Sequence, residues 1–258
     1  MTEWTLPQQR TRQWLEIAIV LGLSLGQSAI YSIVAILRRL SEEAALNEQT
    51  ATINQPLAQQ PLFDLIYQLL AIVFGLVPVV LVFFLLAQPG RSAFTQLGFD
   101  FREPAKDLLR GFGLAAVIGI PGLALYLVGN ALGMTVTIVP TALDTYWWTI
   151  PILVLAALKA ALLEELIVVG YLFTRLRQLG WKTWPIILTS AILRGSYHLY
   201  QGFGPFIGNV VMGIVFGMAY QKWGRTMPLV IAHWILDIIS FTGYALVKAL
   251  VPGFLPGT

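Results

Sequence analysis

The sequence predicts an all-α fold, a polytopic membrane helix bundle with about seven transmembrane helices. The chain of 258 residues is 57% hydrophobic and only 11% charged, whereas about 25% of the residues in a soluble domain are charged. The apolar residues also fall into stretches of about 20, the length that crosses the hydrocarbon core of a bilayer. Seven such stretches leave no room for a separate soluble domain, so we expect one integral membrane domain over residues 1–258.

Turns and charged segments separate the seven apolar stretches. The long hydrophilic connection from Arg38 to Pro61 is expected to be a solvated loop, and the connector from Asn130 to Trp148 contains no basic residue. In the sixth stretch, two pairs of glycines at four-residue spacing are typical of close helix packing. The predicted spans are Trp14–Leu37, Leu62–Ala87, Gly111–Gly129, Thr149–Phe173, Pro185–Leu199, Pro205–Tyr220 and Met227–Leu250.

The basic residues between these spans are distributed unevenly. With seven spans, eleven fall on one side of the membrane and three on the other, so the positive-inside rule predicts a cytoplasmic N-terminus and a C-terminus outside. We expect the membrane to be a bacterial-type plasma membrane. These anchoring loops also account for the net charge of +3, so we expect membrane lipid as a partner and no nucleic acid. The eleven are Arg10, Arg12, Arg91, Arg102, Lys106, Arg110, Arg175, Arg177, Lys182, Lys222 and Arg225, and the three are Arg38, Arg39 and Lys248.

Two adjacent carboxylates, Glu164 and Glu165, lie inside the fourth apolar stretch. A charged side chain near the bilayer centre costs about 2.5–3.5 kcal/mol even on lenient scales, so both should face other helices or a wet cavity. On an α-helix they lie about 100° apart. We therefore expect one of them to point into a shared site and the other to find a separate partner.

The only two histidines of the chain also lie in or at the ends of apolar stretches. His233 is four residues before Asp237, and Arg194 is four residues before His198, so each pair shares one face of its helix. We expect these groups to meet the glutamates in one intramembrane site. The structural alternatives are ion pairs of the glutamates with Lys159 or Arg194, an interfacial hydrogen bond of His198, and a hydrogen bond within the helix for His233.

Two kinds of chemistry suit this set of side chains. A buried carboxylate between a like charge and a cation can serve as a general base near neutral pH. Two neutral imidazoles and a carboxylate are also a plausible zinc set with an open position for water. One difficulty is depth: at about 1.5 Å per residue, Glu164 and His233 lie roughly 12–16 Å from the nearest turns, but His198 lies roughly 24 Å from Lys182. We expect the boundary near Lys182 to be misplaced.

Three motifs resemble those of the CPBP family of intramembrane metalloproteases, the Abi group, related to the type II CAAX prenyl proteases. They are EELIVVG from Glu164, SAILRGSYH from Ser190 and AHWILD from Ala232, and the resemblance covers about residues 150–245. The family pattern has an Arg where this chain has Val169 and a Phe where it has Arg194. We expect Arg194 to return the missing cation to the same cavity.

The resemblance implies an intramembrane endopeptidase acting on membrane-embedded or lipidated peptides. By position, Glu164 matches the water-activating base and Glu165 its partner, whereas His198, His233 and Asp237 match groups that bind a metal or stabilise the oxyanion. The resemblance does not decide between a metal and a water activated by Glu164. If a metal is used, we expect Zn²⁺ held by Glu164, His198, His233 and Asp237.

Two other functions remain open. A non-proteolytic family member would be an immunity or scaffold protein that holds a membrane or peptide partner, and the absent Arg at Val169 favours this alternative. A proton-coupled transporter could use Lys159, Glu164 and His198 as a relay, although the sequence lacks the internal repeat that many transporters have.

Overall fold

The computed structural model describes residues 6–250, and the side chains of residues 7–243. It confirms the all-α class, a bundle of long apolar helices. Predictions about the first five residues, the Lys248 side chain and the C-terminal end lie outside the described residues. The helices are α1 (Leu6–Gly22), α2 (Leu25–Leu40), α3 (Pro61–Gly75), α4 (Val77–Leu86), α5 (Ala93–Leu97), α6 (Pro104–Ala131), α7 (Thr149–Leu163), α8 (Leu172–Gln178), α9 (Thr183–His198), α10 (Phe203–Trp223) and α11 (Met227–Leu250).

One end of the bundle, here called the basic end, is held together by ion pairs between distant parts of the chain. Arg175 of α8 donates to Glu16 of α1 at 2.7 Å. Arg225, just before α11, makes a two-pronged hydrogen-bonded pair with Asp107 in the first turn of α6. The first contact joins α8 to the second half of α1, and the second joins the residue before α11 to the first turn of α6.

The opposite end, here called the sheet end, carries two short strands, β1 (Thr50–Asn54) and β2 (Thr137–Thr141). They pair in parallel, with Thr50 opposite Thr137. The prediction that the connection from Arg38 to Pro61 is a solvated loop is therefore wrong at β1, and the strand in the connector from Asn130 to Trp148 was not predicted. A five-residue strand in a polar segment gains its stability from a partner, and parallel partners are distant in sequence because they need a long crossover connection.

The predicted first span is not one continuous helix. The axes of α1 and α2 are bent by 56° around Leu23 and Ser24. The Ser24 hydroxyl donates to the Val20 carbonyl at 2.6 Å, and a Cβ at Gly26 would lie 2.8 Å from the Leu21 carbonyl oxygen. Glycine therefore permits a turn too tight for any residue with a Cβ.

Three helical segments of the described chain are long and apolar enough to cross a membrane: Pro61–Leu86, Pro104–Ala131 and Phe203–Trp223. The bent pair α1–α2 meets the same test when it is counted as one span. The finding supports an integral membrane protein. The count of seven spans and the single domain over residues 1–258 stay predictions.

The glycines of α10 pack against neighbouring helices. A Cβ at Gly213 would lie 2.7 Å from the Ala191 Cα, and one at Gly217 would lie 3.2 Å from the Ile187 side chain. Both contacts are with α9, which carries two of the predicted site residues. The packing interpretation of the glycine spacing is thus confirmed, and it explains why α9 lies so close to α10.

Candidate functional site

The glutamate pair begins an eight-residue π-helix, Glu164–Tyr171, inserted between α7 and α8. The Leu172 amide donates to the Ile167 carbonyl, five residues earlier, as in a π-helix. All eight residues are buried. The Ser190 hydroxyl of α9 donates to the Val168 carbonyl at 2.9 Å. Helical widening of this kind is frequent at functional sites, and here it occurs where the carboxylates are.

Arg194 of α9 lies between the two carboxylates. Its Nη2 is 2.5 Å from Glu165 Oε1, and its Nη1 is 3.7 Å from Glu164 Oε2. The Arg194 side chain is fully buried and its guanidinium lies 5.4 Å from the centre of the Phe216 ring. The expectation that the second glutamate has a separate partner is wrong, because the forked guanidinium reaches both carboxylates from the neighbouring helix.

His233 of α11 continues this polar cluster from a third element. Its Nδ1 is 2.7 Å from Glu165 Oε1, and its Nε2 is 3.5 Å from Asp237 Oδ2. A carboxylate only accepts hydrogen bonds, so Nδ1 carries the proton donated to Glu165. Glu165, Arg194 and His233 are the most enclosed part of the site, and we call them the buried triad.

Glu164 and His198 form the part of the site nearer to solvent, here called the accessible pair. Glu164 Oε1 is 3.8 Å from His198 Nε2, and the His198 side chain is 22% exposed, whereas that of Glu165 is fully buried. Neither ring nitrogen of His198 has a hydrogen-bond partner within the described chain. Both of these nitrogens are buried. Because a buried polar atom without a partner is costly, His198 is a candidate to bind an enclosed water molecule or a substrate group.

The difference in depth between Glu164 and His198 disappears because the fourth predicted span ends too early. The helical segment that starts with α7 runs past Phe173 to Gln178, which is 14 residues beyond Glu164. His198 is 15 residues beyond the start of α9 at Thr183. At about 1.5 Å per residue both lie roughly 20 Å from the basic end. The boundary near Lys182 was correctly placed, and the one at Phe173 was wrong.

Three site residues can hold a metal ion. One ligand atom from each of Glu164, Glu165 and His233 lies within 4.8 Å of the others, and all three residues are buried. Carboxylate oxygens and imidazole nitrogen are ligands that Zn²⁺ accepts. His198 and Asp237 do not belong to this group within the described chain, so the geometry favours Glu165 over them as a ligand.

Two polar residues of the site are not among the predicted ones. Tyr197 donates its hydroxyl to Glu164 Oε2 at 2.8 Å, and Ser190 supports the π-helix. The signal for Tyr197 is its place beside His198 at the end of an apolar helix. Lys159, in contrast, packs its stem against Gly75 of α3 and makes no ion pair with either glutamate among the described residues.

The fold and the site together define a helical membrane protein with a buried Glu, Arg and His centre shared by three helical segments. Residues 146–239 match the family model described as type II CAAX prenyl endopeptidase Rce1-like. All six predicted site residues lie within that range, and the match confirms the predicted resemblance to the CAAX protease family. Searches of curated proteins and of solved structures return no match to the chain.

Proposed function

We propose that the protein is an intramembrane endopeptidase that hydrolyses peptide bonds of membrane-embedded or lipidated peptides. The observation that carries this proposal is the accessible pair, in which Glu164 faces the unpartnered imidazole of His198 inside the bundle. A binding protein does not need a carboxylate and a free imidazole facing each other at this depth. The match to an endopeptidase family over residues 146–239 supports the same reaction class.

The geometry of the accessible pair suits water activation. Two atoms 3.8 Å apart, Glu164 Oε1 and His198 Nε2, can both lie about 2.8 Å from one water oxygen. In the proposed reaction Glu164 accepts a proton from this water, and the oxygen attacks the carbonyl carbon of the peptide bond. Glu164 then returns the proton to the amide nitrogen as the C–N bond breaks, which leaves a carboxylic acid and an amine.

The other polar groups have supporting roles in this proposal. Arg194 offsets the negative charge of the two glutamates, and Glu165 orients His233 through Nδ1. His198, whose ring nitrogens have no partner within the described chain, stabilises the negative oxygen that develops on the attacked carbonyl. Asp237 Oδ2, 3.5 Å from His233 Nε2, helps to orient the His233 ring from the side opposite Glu165. A zinc ion bound by Glu164, Glu165 and His233 would supply a Lewis acid at the same place.

We also propose that the basic end faces the cytoplasm. With seven spans, the connections on one side of the membrane carry eleven basic residues and those on the other side carry three. Arg175 and Arg225, which belong to the larger group, lie at the basic end. Cytoplasmic loops of membrane proteins carry such an excess. The test is to introduce a single cysteine in place of the exposed Lys182 and to label it with a membrane-impermeant thiol reagent from either side of intact vesicles.

The experiment that tests the proposed function is cleavage of a labelled library of membrane and prenylated peptides by the purified protein in lipid vesicles. We compare wild type with Glu164→Ala and His198→Ala at matched thermal stability, with and without a chelator. A cut that only the wild type makes supports the proposal, and sensitivity to the chelator indicates a metal. If all three proteins leave every peptide intact while binding some of them, the scaffold function replaces the endopeptidase.

A further inference from the structure

Tyr197 makes a polar contact that the roles above do not use. Its hydroxyl donates to Glu164 Oε2 at 2.8 Å, and the residue is only 5% exposed. The same carboxylate oxygen lies 3.7 Å from Arg194 Nη1. Oε2 thus faces two donors, whereas Oε1 faces His198 Nε2 at 3.8 Å.

The Tyr197 ring is held by residues from outside its own helix. It clusters with Leu25 and Ala29 of α2 and with Val168 of the π-helix. The end of α9 is tied to α2 a second time, where the Tyr200 amide donates to the Ser32 hydroxyl at 2.6 Å. The position of the hydroxyl on Glu164 therefore depends on α2, which lies outside the family-matched residues 146–239.

A hydrogen bond to one oxygen of a carboxylate fixes the plane of the group and decides which oxygen is free. Because the Tyr197 hydroxyl occupies Oε2, the lone pairs available to water are those of Oε1, on the side of His198. Without the hydroxyl, the carboxylate could rotate about its terminal bond, which has a broad torsional preference. A misplacement of the base by about 1 Å can cost about 100-fold in rate.

We propose that Tyr197 is a positioning residue: its hydroxyl, set in place by α2, holds Glu164 so that Oε1 faces the substrate water and His198. This inference rests on the proposed function. It adds a role for the first part of the chain, because α2 then acts on the reaction through Tyr197 without touching the substrate.

The test compares Tyr197→Phe with wild type in the vesicle cleavage assay. Removing only the hydroxyl should lower kcat about 10- to 100-fold, the range that a hydrogen bond to a charged group accounts for, and leave KM within about twofold. Tyr171→Phe is the matched control, because Tyr171 is equally buried on the π-helix and its hydroxyl contacts no site residue in the described chain. The control should retain wild-type kcat.

A second variant covers the case in which Tyr197→Phe does not fold. Ala29→Val adds two methyl groups against the ring of Tyr197 and should also lower kcat with KM unchanged, whereas Ile30→Val, on the exposed side of α2, should not. If kcat stays at the wild-type value in Tyr197→Phe, or in Ala29→Val where the first variant is unfolded, the positioning role is wrong and the proposed function stands. If wild type and Glu164→Ala are equally inactive, both are wrong.

Discussion

Arg194 and Glu165 form a fully buried salt bridge with 2.5 Å between Nη2 and Oε1, joining α9 to the π-helix at the centre of the bundle. Glu164 lies 3.7 Å from the same guanidinium. Val169, where the family pattern has its Arg, is fully buried in the hydrophobic core instead. The cation of the site therefore comes from a neighbouring helix, as expected from the two departures of the sequence.

Replacing Arg194 by Leu should destabilise the protein by about 3–5 kcal/mol, because it leaves two buried carboxylates without their cation. The measurement is thermal unfolding in detergent. The control is Arg38→Leu, which breaks an exposed pair with Glu42 and should cost less than about 1 kcal/mol. Equal melting temperatures for Arg194→Leu and wild type would refute the central role of this cation.

Ser190→Ala should lower stability by about 1–3 kcal/mol, because the buried Val168 carbonyl loses the hydroxyl that satisfies it within the π-helix. Ser196→Ala is a matched change on the same helix: the Ser196 hydroxyl donates to the Ile192 carbonyl in an exposed contact, so its removal leaves no buried acceptor unsatisfied. Denaturant unfolding of both variants measures the difference. A loss in Ser196→Ala as large as that in Ser190→Ala would argue against a special role for the Val168 contact.

Close packing of α10 against α9 predicts that even a single methyl group at Gly213 is destabilising. A Cβ there would lie 2.7 Å from the Ala191 backbone, so the two helices must move apart. At Gly122 of α6, where a Cβ meets nothing within 4 Å, an alanine should be neutral or stabilise the helix by about 0.5–1 kcal/mol. The melting temperature of Gly213→Ala should therefore fall below that of the wild type, whereas that of Gly122→Ala should stay the same or rise.

The basic end should lose stability in acid. Desolvation opposes ionisation of Asp100, but hydrogen bonds from the Arg102 amide and the Arg225 guanidinium outweigh it and lower the pKa of Asp100 below its usual value. Because the folded-state pKa is the lower one, the stabilisation is present above the unfolded pKa of about 3.9 and is lost as the pH falls through the folded pKa.

Asp100→Asn should accordingly flatten the fall in melting temperature between about pH 5 and pH 3. The control is Asp144→Asn, since Asp144 is exposed and forms no ion pair in the part of the chain that the structure covers. It should keep the wild-type slope. An unchanged slope in Asp100→Asn would mean that this ion-pair network does not contribute to the acid sensitivity.

Much of the fold follows from the sequence because apolar stretches of membrane length are a strong pattern. Met227–Leu250 was predicted with the bounds that α11 has. The break at Ser24 was not predicted, because it comes from local contacts of Ser24 and Gly26 that the length of an apolar stretch does not reveal. The pairing of β1 with β2 was not predicted, because it joins strands that are distant in sequence. The extension of the fourth span to Gln178 was missed because Arg175 was assigned to the turn that follows the span, yet it lies in α8, is buried and pairs with Glu16.

The sequence predicts which residues belong to the site better than it predicts which of them contact each other. Ionisable groups inside a membrane are few and costly, so the sequence alone indicates which ones belong to the site. The structure brings together Glu164, Glu165, Arg194, His198 and His233. The pairing could not be read from helical spacing, because the π-helix changes the directions of the two glutamates. Tyr197 carries no charge and so gave no comparable signal.

The Glu164→Gln variant in the vesicle cleavage assay tests whether Glu164 activates water for peptide hydrolysis. Glutamine keeps the size of the side chain and can accept from Tyr197, but it cannot take a proton from water. If Glu164 is the general base, kcat should fall about 10²- to 10⁴-fold, the usual contribution of such a base, while the melting temperature stays unchanged. Cleavage of the same bond at the wild-type rate by Glu164→Gln would contradict this role.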